Sequence, residues 1–491
     1  MVALSLLSGG TEKEHHGPYR IGKETAHMQA AGITGRGYRT WHVKVLVLLG
    51  TLVLALMLGA DLAKHPSQIK GYEAYRIAES VAGGHGYSFK GWRWLFDEAD
   101  KISVPGVPVY HPTAWEDPLY TFILAGLMRA TGDWHMIAGA ILNIALFVAT
   151  VMLSFRLAAN YNGIWAGAFA AILIAAALYW RAHRWVPILN HTLLAMMFVV
   201  LFALALHKTI KAPTRTNAGM LGAATGLAIL ACPGAIGFLA IGPTIVLLQS
   251  GETWCRALSK CLLVLLVSIL ILVPWATRNY VVFHEFVPVR TGGGLISFVG
   301  TVGAGITVEP ATLAAPLEPP WRASSARLAV ATILADSPPH WGKESLIEFQ
   351  ARYARAVAGD SWNAMNEAQR DKWLQHEVRA YFWDNPLLSI KLAVWKLLAF
   401  TQSMGQLGTV LITVALMGGI LAIASWRIDL LALSLCIGVF TAPFILIVPF
   451  YDRYRMPIEP IITVAAIVAL YQLVRFIRDD RISTPEHGRS I

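Results

Sequence analysis

Pro274 to Gly294 read PWATRNYVVFHEFVPVRTGGG, and this stretch marks where a long apolar run gives way to a long polar segment. Upstream, Leu262 to Val273 is almost uninterrupted Leu, Val and Ile. Proline lacks the N–H that a continuing helix needs, and Trp275 is the amphipathic residue favoured at a membrane surface. A helix is therefore expected to leave a bilayer at Pro274. After Arg278 and Asn279, the apolar positions Val281, Val282, Phe283, Phe286, Val287 and Val289 lead to Arg290 and three glycines. The chain is expected to turn back along the membrane surface there, with both arginines pointing inward. Taken alone, the same residues also fit a helix end with a basic belt.

Composition supports a membrane reading. Of 491 residues, 56% are hydrophobic and only 14% charged, and the mean hydropathy is +0.53, which argues against a soluble globular domain. The expected fold class is an all-α polytopic membrane protein, with about 10–13 transmembrane helices, outer-surface juxtamembrane helices and a helical extracytoplasmic loop. The net charge of +10 fits cytoplasmic loop bias together with the handling of anionic phosphate, and nucleic acid is not an expected partner. The four cysteines, Cys232, Cys255, Cys261 and Cys436, lie in or beside apolar runs, so the polar loops contain no disulfide framework.

The organisation follows from alternating the apolar runs against the positive charges. Residues 1–43 form a basic cytoplasmic tail, and its distance from the first apolar run argues against a cleaved signal peptide. Residues 44–275 form an N-terminal transmembrane module whose first outer loop covers 61–117. Pro118 to Ala130 is too short to span, and laying it on the outer surface keeps Lys208, Lys211 and Arg215 inside. Residues 276–386 form a large extracytoplasmic loop with two expected helices, Glu344 to Val357 and Asn366 to Trp383. Residues 387–476 hold the C-terminal transmembrane helices, opening with a second surface run that carries Lys396. Residues 477–491 return to the cytoplasm. The expected location is the inner membrane, multi-pass, with the chemistry on the extracytoplasmic side.

Two constellations carry chemistry. YDRYRMPIEP, Tyr451 to Pro460, sets Arg453 and Arg455 around Tyr454 at the mouth of the last span, where paired guanidinium groups suit a phosphate. Interfacial anchoring by Tyr and snorkelling Arg is the plainer account, although outward arginines run against the positive-inside bias. The first outer loop supplies carboxylates: Asp61, Glu73, and the adjacent Glu116 and Asp117. His191 stands at the outer start of a span. DEAD at Asp97 to Asp100 has no supporting context. Nucleotide loops, zinc signatures and serine-hydrolase elbows are absent from the sequence.

PW..RNY..F..FVPVRT..G and the RYR.P pattern resemble membrane glycosyltransferases of the glycosyltransferase C superfamily. Nearest in pattern are family 39-like proteins such as the dolichyl-phosphate-mannose protein mannosyltransferases and the aminoarabinose transferase. The Y..A..V..G.GY pattern from Tyr75 to Tyr87 and the PLY after Asp117 match further family patches. The resemblance implies an inverting enzyme that moves a sugar from a polyprenyl-phosphate donor to a glycan, lipid or protein acceptor. Arg278, Arg290, Arg453, Arg455 and Lys396 would then hold the donor phosphate, and His191, Tyr75 and Tyr454 would line the cavity. The family places its catalytic Asp where this chain has Gly71, so the expected base shifts to Glu73, with Asp117, Asp61 and Glu116 as further candidates. No cofactor is certain beyond the lipid-linked donor, and no motif supports a divalent metal although the chemistry admits one. The alternatives are a lipid or solute transporter and an inactive relative acting in envelope assembly.

Overall fold

The computed structural model describes residues 23–65, 67, 69–71, 73–90, 109–249, 253–298, 301, 361–384, 386–402, 405–424, 427–446 and 455–483. Arg453, Tyr454, the DEAD string and the expected helix Glu344 to Val357 lie outside these residues. The chain divides at 46/47 into two units. The first contains the beginning of helix α1 (Lys23–Lys64), and all else belongs to the second.

The second unit is helical apart from four very short strands. After α1 come β1 (Lys70–Gly71), α2 (Glu73–Ala82), β2 (Ser88–Lys90), β3 (Tyr110–Pro112) and α3 (Pro118–Thr131). A 3₁₀ turn, Gly132–Trp134, leads to α4 (His135–Asn162) and α5 (Ile164–Trp185), then β4 (Ile188–Leu189), α6 (Thr192–Lys211) and α7 (Arg215–Ala231). A second 3₁₀ turn precedes α8 (Phe238–Gln249) and α9 (Trp254–Phe283), followed by the short α10 (Gly293–Phe298). The C-terminal part holds α11 (Ser361–Ala364), α12 (Glu367–Asp384), α13 (Pro386–Gln402), α14 (Gly405–Ala424), α15 (Ile428–Leu446) and α16 (Glu459–Ser483).

Among the described residues, six segments are long and apolar enough to cross a membrane, and three further apolar helices are shorter. The protein is thus an all-α polytopic membrane protein. α3 stands apart from α4 across the Gly132–Trp134 turn. Its 14 residues rise about 21 Å at 1.5 Å each, less than the roughly 30 Å hydrocarbon core. Within the bundle α7 lies flush on α9. A Cβ on Gly222 would sit 2.6 Å from the Val264 carbonyl, and Ser268 Oγ donates to Gly222 O at 2.9 Å. With Gly226 one turn on, this is the small-residue spacing that lets membrane helices approach closely.

The helix break expected at Pro274 does not occur. α9 continues from Trp254 to Phe283 with Pro274 inside it and ends where His284 takes a left-handed φ of 54°. Proline removes one hydrogen bond, and membrane helices tolerate it because neighbouring groups and local adjustment satisfy the freed backbone. Val281, Val282 and Phe283 are therefore helical, and the reversal begins at His284. Outside the spans, Ile77, Tyr87, Trp115, Phe298, Trp362 and Leu374 share one apolar core. These segments thus fold on one another.

Candidate active site

Backbone pairing that the sequence hides helps to place the polar groups. β1 runs parallel to β4, with Lys70 opposite Ile188 and Gly71 opposite Leu189. This brings the start of α2, with Glu73, against the link into α6, with His191. Asn143, buried in α4, donates to the carbonyls of Val186 (3.0 Å) and Ile188 (3.2 Å) and accepts from Tyr120 Oη at 2.8 Å. Tyr120 sits in the first turn of α3, so one buried amide fixes the Asp117 end of that helix relative to the His191 link. Tyr87 Oη donates to Glu116 O at 2.7 Å and holds the other side of the same turn.

His191 bridges two adjacent carboxylates. Its Nδ1 is 3.1 Å from Glu116 Oε2, and its Nε2 is 3.1 Å from Asp117 Oδ2. Arg290 Nη1 approaches Asp117 Oδ1 at 3.6 Å, close enough for ionic attraction and too far for a good hydrogen bond. Asp117 is fully buried, and neither of its carboxylate oxygens has an aligned hydrogen-bond donor. Glu73, half-buried, sits beside the Glu116 carboxyl at the edge of the group.

The charges respond accordingly. Burial pushes Asp117 above the usual carboxylate range against the pull of His191 and Arg290. Glu116 is buried equally, but its hydrogen bond to His191 and the charges of His191 and Arg290 outweigh desolvation and lower it to about 2. For His191, burial works against the proton, and the Asp117 charge and the Glu116 hydrogen bond overcome it, so its pKa is raised.

The donor atoms of Glu116, Asp117 and His191 all lie within 4.8 Å of one another. Atoms sharing one ion at about 2.2 to 2.4 Å are at most about 4.8 Å apart, so the group meets the spacing of a cation site. Two carboxylates and an imidazole form a hard, mixed O/N donor set, and the unsatisfied oxygens of Asp117 fit a ligand role. The sequence assigned no metal ligand, because the Glu116–Asp117 pair and His191 are 75 and 74 residues apart.

Arg290 reaches the group because α9 clamps the returning chain. Trp275 Nε1 donates to Val289 O, and one turn later Asn279 Nδ2 donates to Val287 O at 3.0 Å and Val289 O at 3.3 Å. α12 supports the loop from behind. Glu367 accepts from Ala114 N at 3.0 Å and from Thr291 Oγ1, and Asp371 Oδ1 accepts from Gly294 N at 2.6 Å. Burial raises the pKa of both acids. The sequence reading missed them, although Asp371, Leu374 and Val378 share a helix face. It also missed Cys232, in the turn after α7, which feels the charges of Asp117 and Arg290 and whose thiol burial pushes up to about 12.

No family model matches the chain. No curated protein matches it either. Among solved structures, the archaeal oligosaccharyltransferase AglB from Archaeoglobus fulgidus, in complex with an inhibitory peptide and a dolichol-phosphate, is similar over 93% of this chain at 12% identity and a TM-score of 0.50. The chain shares the fold of the matching part of that protein. It spans about half of that protein, covering 53% of its length. A structure of the Archaeoglobus fulgidus enzyme in complex with Zn and sulfate is similar over 88% of this chain at 10% identity, with a TM-score of 0.49, and 50% of that protein is covered.

Within this fold the remaining expected residues fall elsewhere. Asp61 sits half-buried in the last turn of α1, outside the Glu116–Asp117–His191 group. Tyr75 Oη bonds His135 Nε2 at 2.7 Å. Arg278 donates to the carbonyls of Thr113 (2.7 Å) and Tyr87 (2.8 Å) and lies over the Trp275 ring. Arg455, almost fully buried, pairs with Glu459 at 2.7 Å and donates to Phe400 O at 3.2 Å. Lys396, buried one turn before Phe400, points to Leu446 O at 3.5 Å. The vacancy at Gly71 has a steric cause. A Cβ there would lie 2.3 Å from the Tyr75 ring, which its bond to His135 holds in place.

Proposed function

We propose that this protein is a membrane glycosyltransferase that moves a sugar from a polyprenyl-phosphate donor to an acceptor hydroxyl on the extracytoplasmic face, with inversion at the anomeric carbon. The observation that carries the reading is the buried Glu116–Asp117–His191 group with Arg290 beside it and Glu73 at its edge. In the reaction the acceptor oxygen bonds to the anomeric carbon, the bond from that carbon to the phosphate oxygen breaks, and polyprenyl phosphate leaves. Glu73, the most accessible carboxylate of the set, takes the hydroxyl proton in its ionised form. Arg290 donates to the departing phosphate, whose negative charge grows as the bond breaks. Glu116, Asp117 and His191 are the residues that would hold a divalent cation, which supplies further positive charge to the leaving group when bound.

Sidedness is supported by α6. His191 precedes its first residue, while Lys208 and Lys211 occupy its last turn. Twenty residues rise about 30 Å, so the site and the basic end lie a membrane thickness apart. The positive-inside rule then supports a site on the outer face. Against transport, the charged cluster stands at the helix ends, whereas transporter sites lie near the bilayer midplane. Proteoliposomes given a radiolabelled polyprenyl-phosphate sugar and a mixed acceptor extract test the proposal. Label should move to the acceptor fraction and stop moving with His191→Ala. Failure to transfer from any polyprenyl-phosphate sugar would overturn it.

A further inference from the structure

α12 carries two acids that the reaction proposed above does not use. Glu367 and Asp371, one turn apart, are only 6% and 9% exposed, and carboxyl groups at such depth need hydrogen bonds to replace their lost water. Asp371 finds its partners nearby: Oδ1 accepts from Gly294 N at 2.6 Å and Oδ2 from Gln375 Nε2 at 2.9 Å. Glu367 reaches two segments far apart in sequence. Its Oε1 accepts from Ala114 N at 3.0 Å and from the Thr291 hydroxyl.

Those two partners already touch, because Thr291 N donates to Ala114 O at 2.8 Å. Ala114 leads through Trp115 into Glu116 and Asp117, and Thr291 follows Arg290 directly. One backbone bond therefore joins the chain that carries the carboxylates to the chain that carries the cation. A single bond fixes a distance and leaves the angle free. Glu367 removes that freedom by taking a donor from each side on one oxygen. The other α12 ties, Asn366 Nδ2 to Phe283 O at 2.9 Å and Lys372 to Glu285, reach only the α9 side. Little slack remains around the joint. A Cβ on Gly292, where φ is 85°, would lie 2.8 Å from the Trp115 ring, and the space left between Trp115, Gly292, Glu367 and Asp371 is about 10 Å³, no more than one water.

We propose that Glu367 is a positioning residue for the transfer: it locks the Ala114–Thr291 contact and so sets the angle at which Arg290 faces Asp117 across 3.6 Å. The task given to Arg290 rests on the function proposed above. The lock itself does not. Both partners of Glu367 donate, and an amide oxygen also has two lone pairs, so glutamine can hold the joint where alanine cannot.

The test uses the full-length protein in nanodiscs with two readings, amide hydrogen exchange by mass spectrometry and equilibrium affinity for a polyprenyl-phosphate sugar. Glu367→Ala should speed exchange in 113–117 and in 289–294 together, by about tenfold or more, and Glu367→Gln should exchange like the wild type. Asp371→Ala should loosen 289–294 alone. Losing one net hydrogen-bonded contact is worth about fivefold, so Glu367→Ala should weaken donor binding by about that factor. In an Arg290→Ala background the same change should cost less than about twofold, because residues that act through one another do not add. Glu367→Asp, one methylene shorter, should fall between alanine and wild type in both readings, and it carries the test if the alanine variant does not fold. Unchanged exchange in 113–117, wild-type donor affinity in Glu367→Ala and Glu367→Asp, or losses that multiply with Arg290→Ala would each overturn the proposal. Coupled exchange in a protein that transfers no sugar would count against the enzymatic reading and leave the lock standing. Transfer with multiplying losses would do the reverse.

Discussion

Asp117→Asn separates the cation reading of the site from a purely acid–base one. The substitution keeps the shape of the side chain and removes one charge from a donor set confined within 4.8 Å. Mutating a mere supporting partner of a metal ligand costs 10- to 100-fold in affinity, so loss of an anionic ligand should cost at least about 100-fold, or about 2.7 kcal/mol. Stability should move differently. Burial raises the Asp117 pKa, so its contribution is fully present below the ordinary Asp value and is lost as pH rises through the raised one. Asparagine, which cannot ionise, escapes that loss. Metal-free Asp117→Asn should therefore melt no lower than metal-free wild type at neutral pH, and the wild type should release protons when it takes up cation. Mn²⁺ titration by electron paramagnetic resonance on purified protein, alongside melting curves, reads both effects. Mn²⁺ affinity within threefold of wild type would refute the ligand assignment, and a variant much less stable than wild type at neutral pH would refute the account of Asp117 as a strained buried acid.

Glu73→Gln should lower kcat by about 10² to 10⁴, the range for a positioned general base, with donor affinity unchanged in an equilibrium binding assay. Full activity would move the base to another carboxylate. Arg290→Ala should weaken donor binding by about tenfold or more, since a charge-assisted contact is worth roughly 1.5 to 3 kcal/mol. Arg290→Lys should recover only part of this loss, because a single ammonium lacks the guanidinium fork. For sidedness, Ser361→Cys should label with an impermeant maleimide in intact cells and Thr214→Cys should not. Labelling of Thr214→Cys from outside would invert the topology.

Helices were readable because apolar runs and charge bias act locally. The run Asn366 to Trp383 emerges as Glu367–Asp384, and the span opening at His191 emerges as Thr192–Lys211. Pro274 misled because a proline inside a membrane helix breaks it only when nothing else satisfies the backbone. The chemistry was half legible. Glu73, Glu116, Asp117, His191 and Arg290 could each be picked out by residue type and position. Their convergence could not, since it depends on a two-residue parallel pairing of β1 with β4 and on the amide of Asn143, neither of which has a periodic signature. Gly71 looked like a lost function in sequence; beside the Tyr75 ring it is simply a place where no side chain fits.

The unbroken α9 ties the candidate site to the long apolar helix beneath it. From Pro274 to Phe283 the helix adds roughly 13 Å at 1.5 Å per residue, and Trp275 and Asn279 on that segment dictate where Arg290 stands. The rod thus works as a gauge: the height of Arg290 above the apolar part of α9 is set by counting residues. One alanine inserted after Thr277 would turn Asn279 through about 100° and lift it by about 1.5 Å, parting it from Trp275. The same insertion in the loop at Glu285 would be absorbed. Length here is as much a part of the site as any side chain in it.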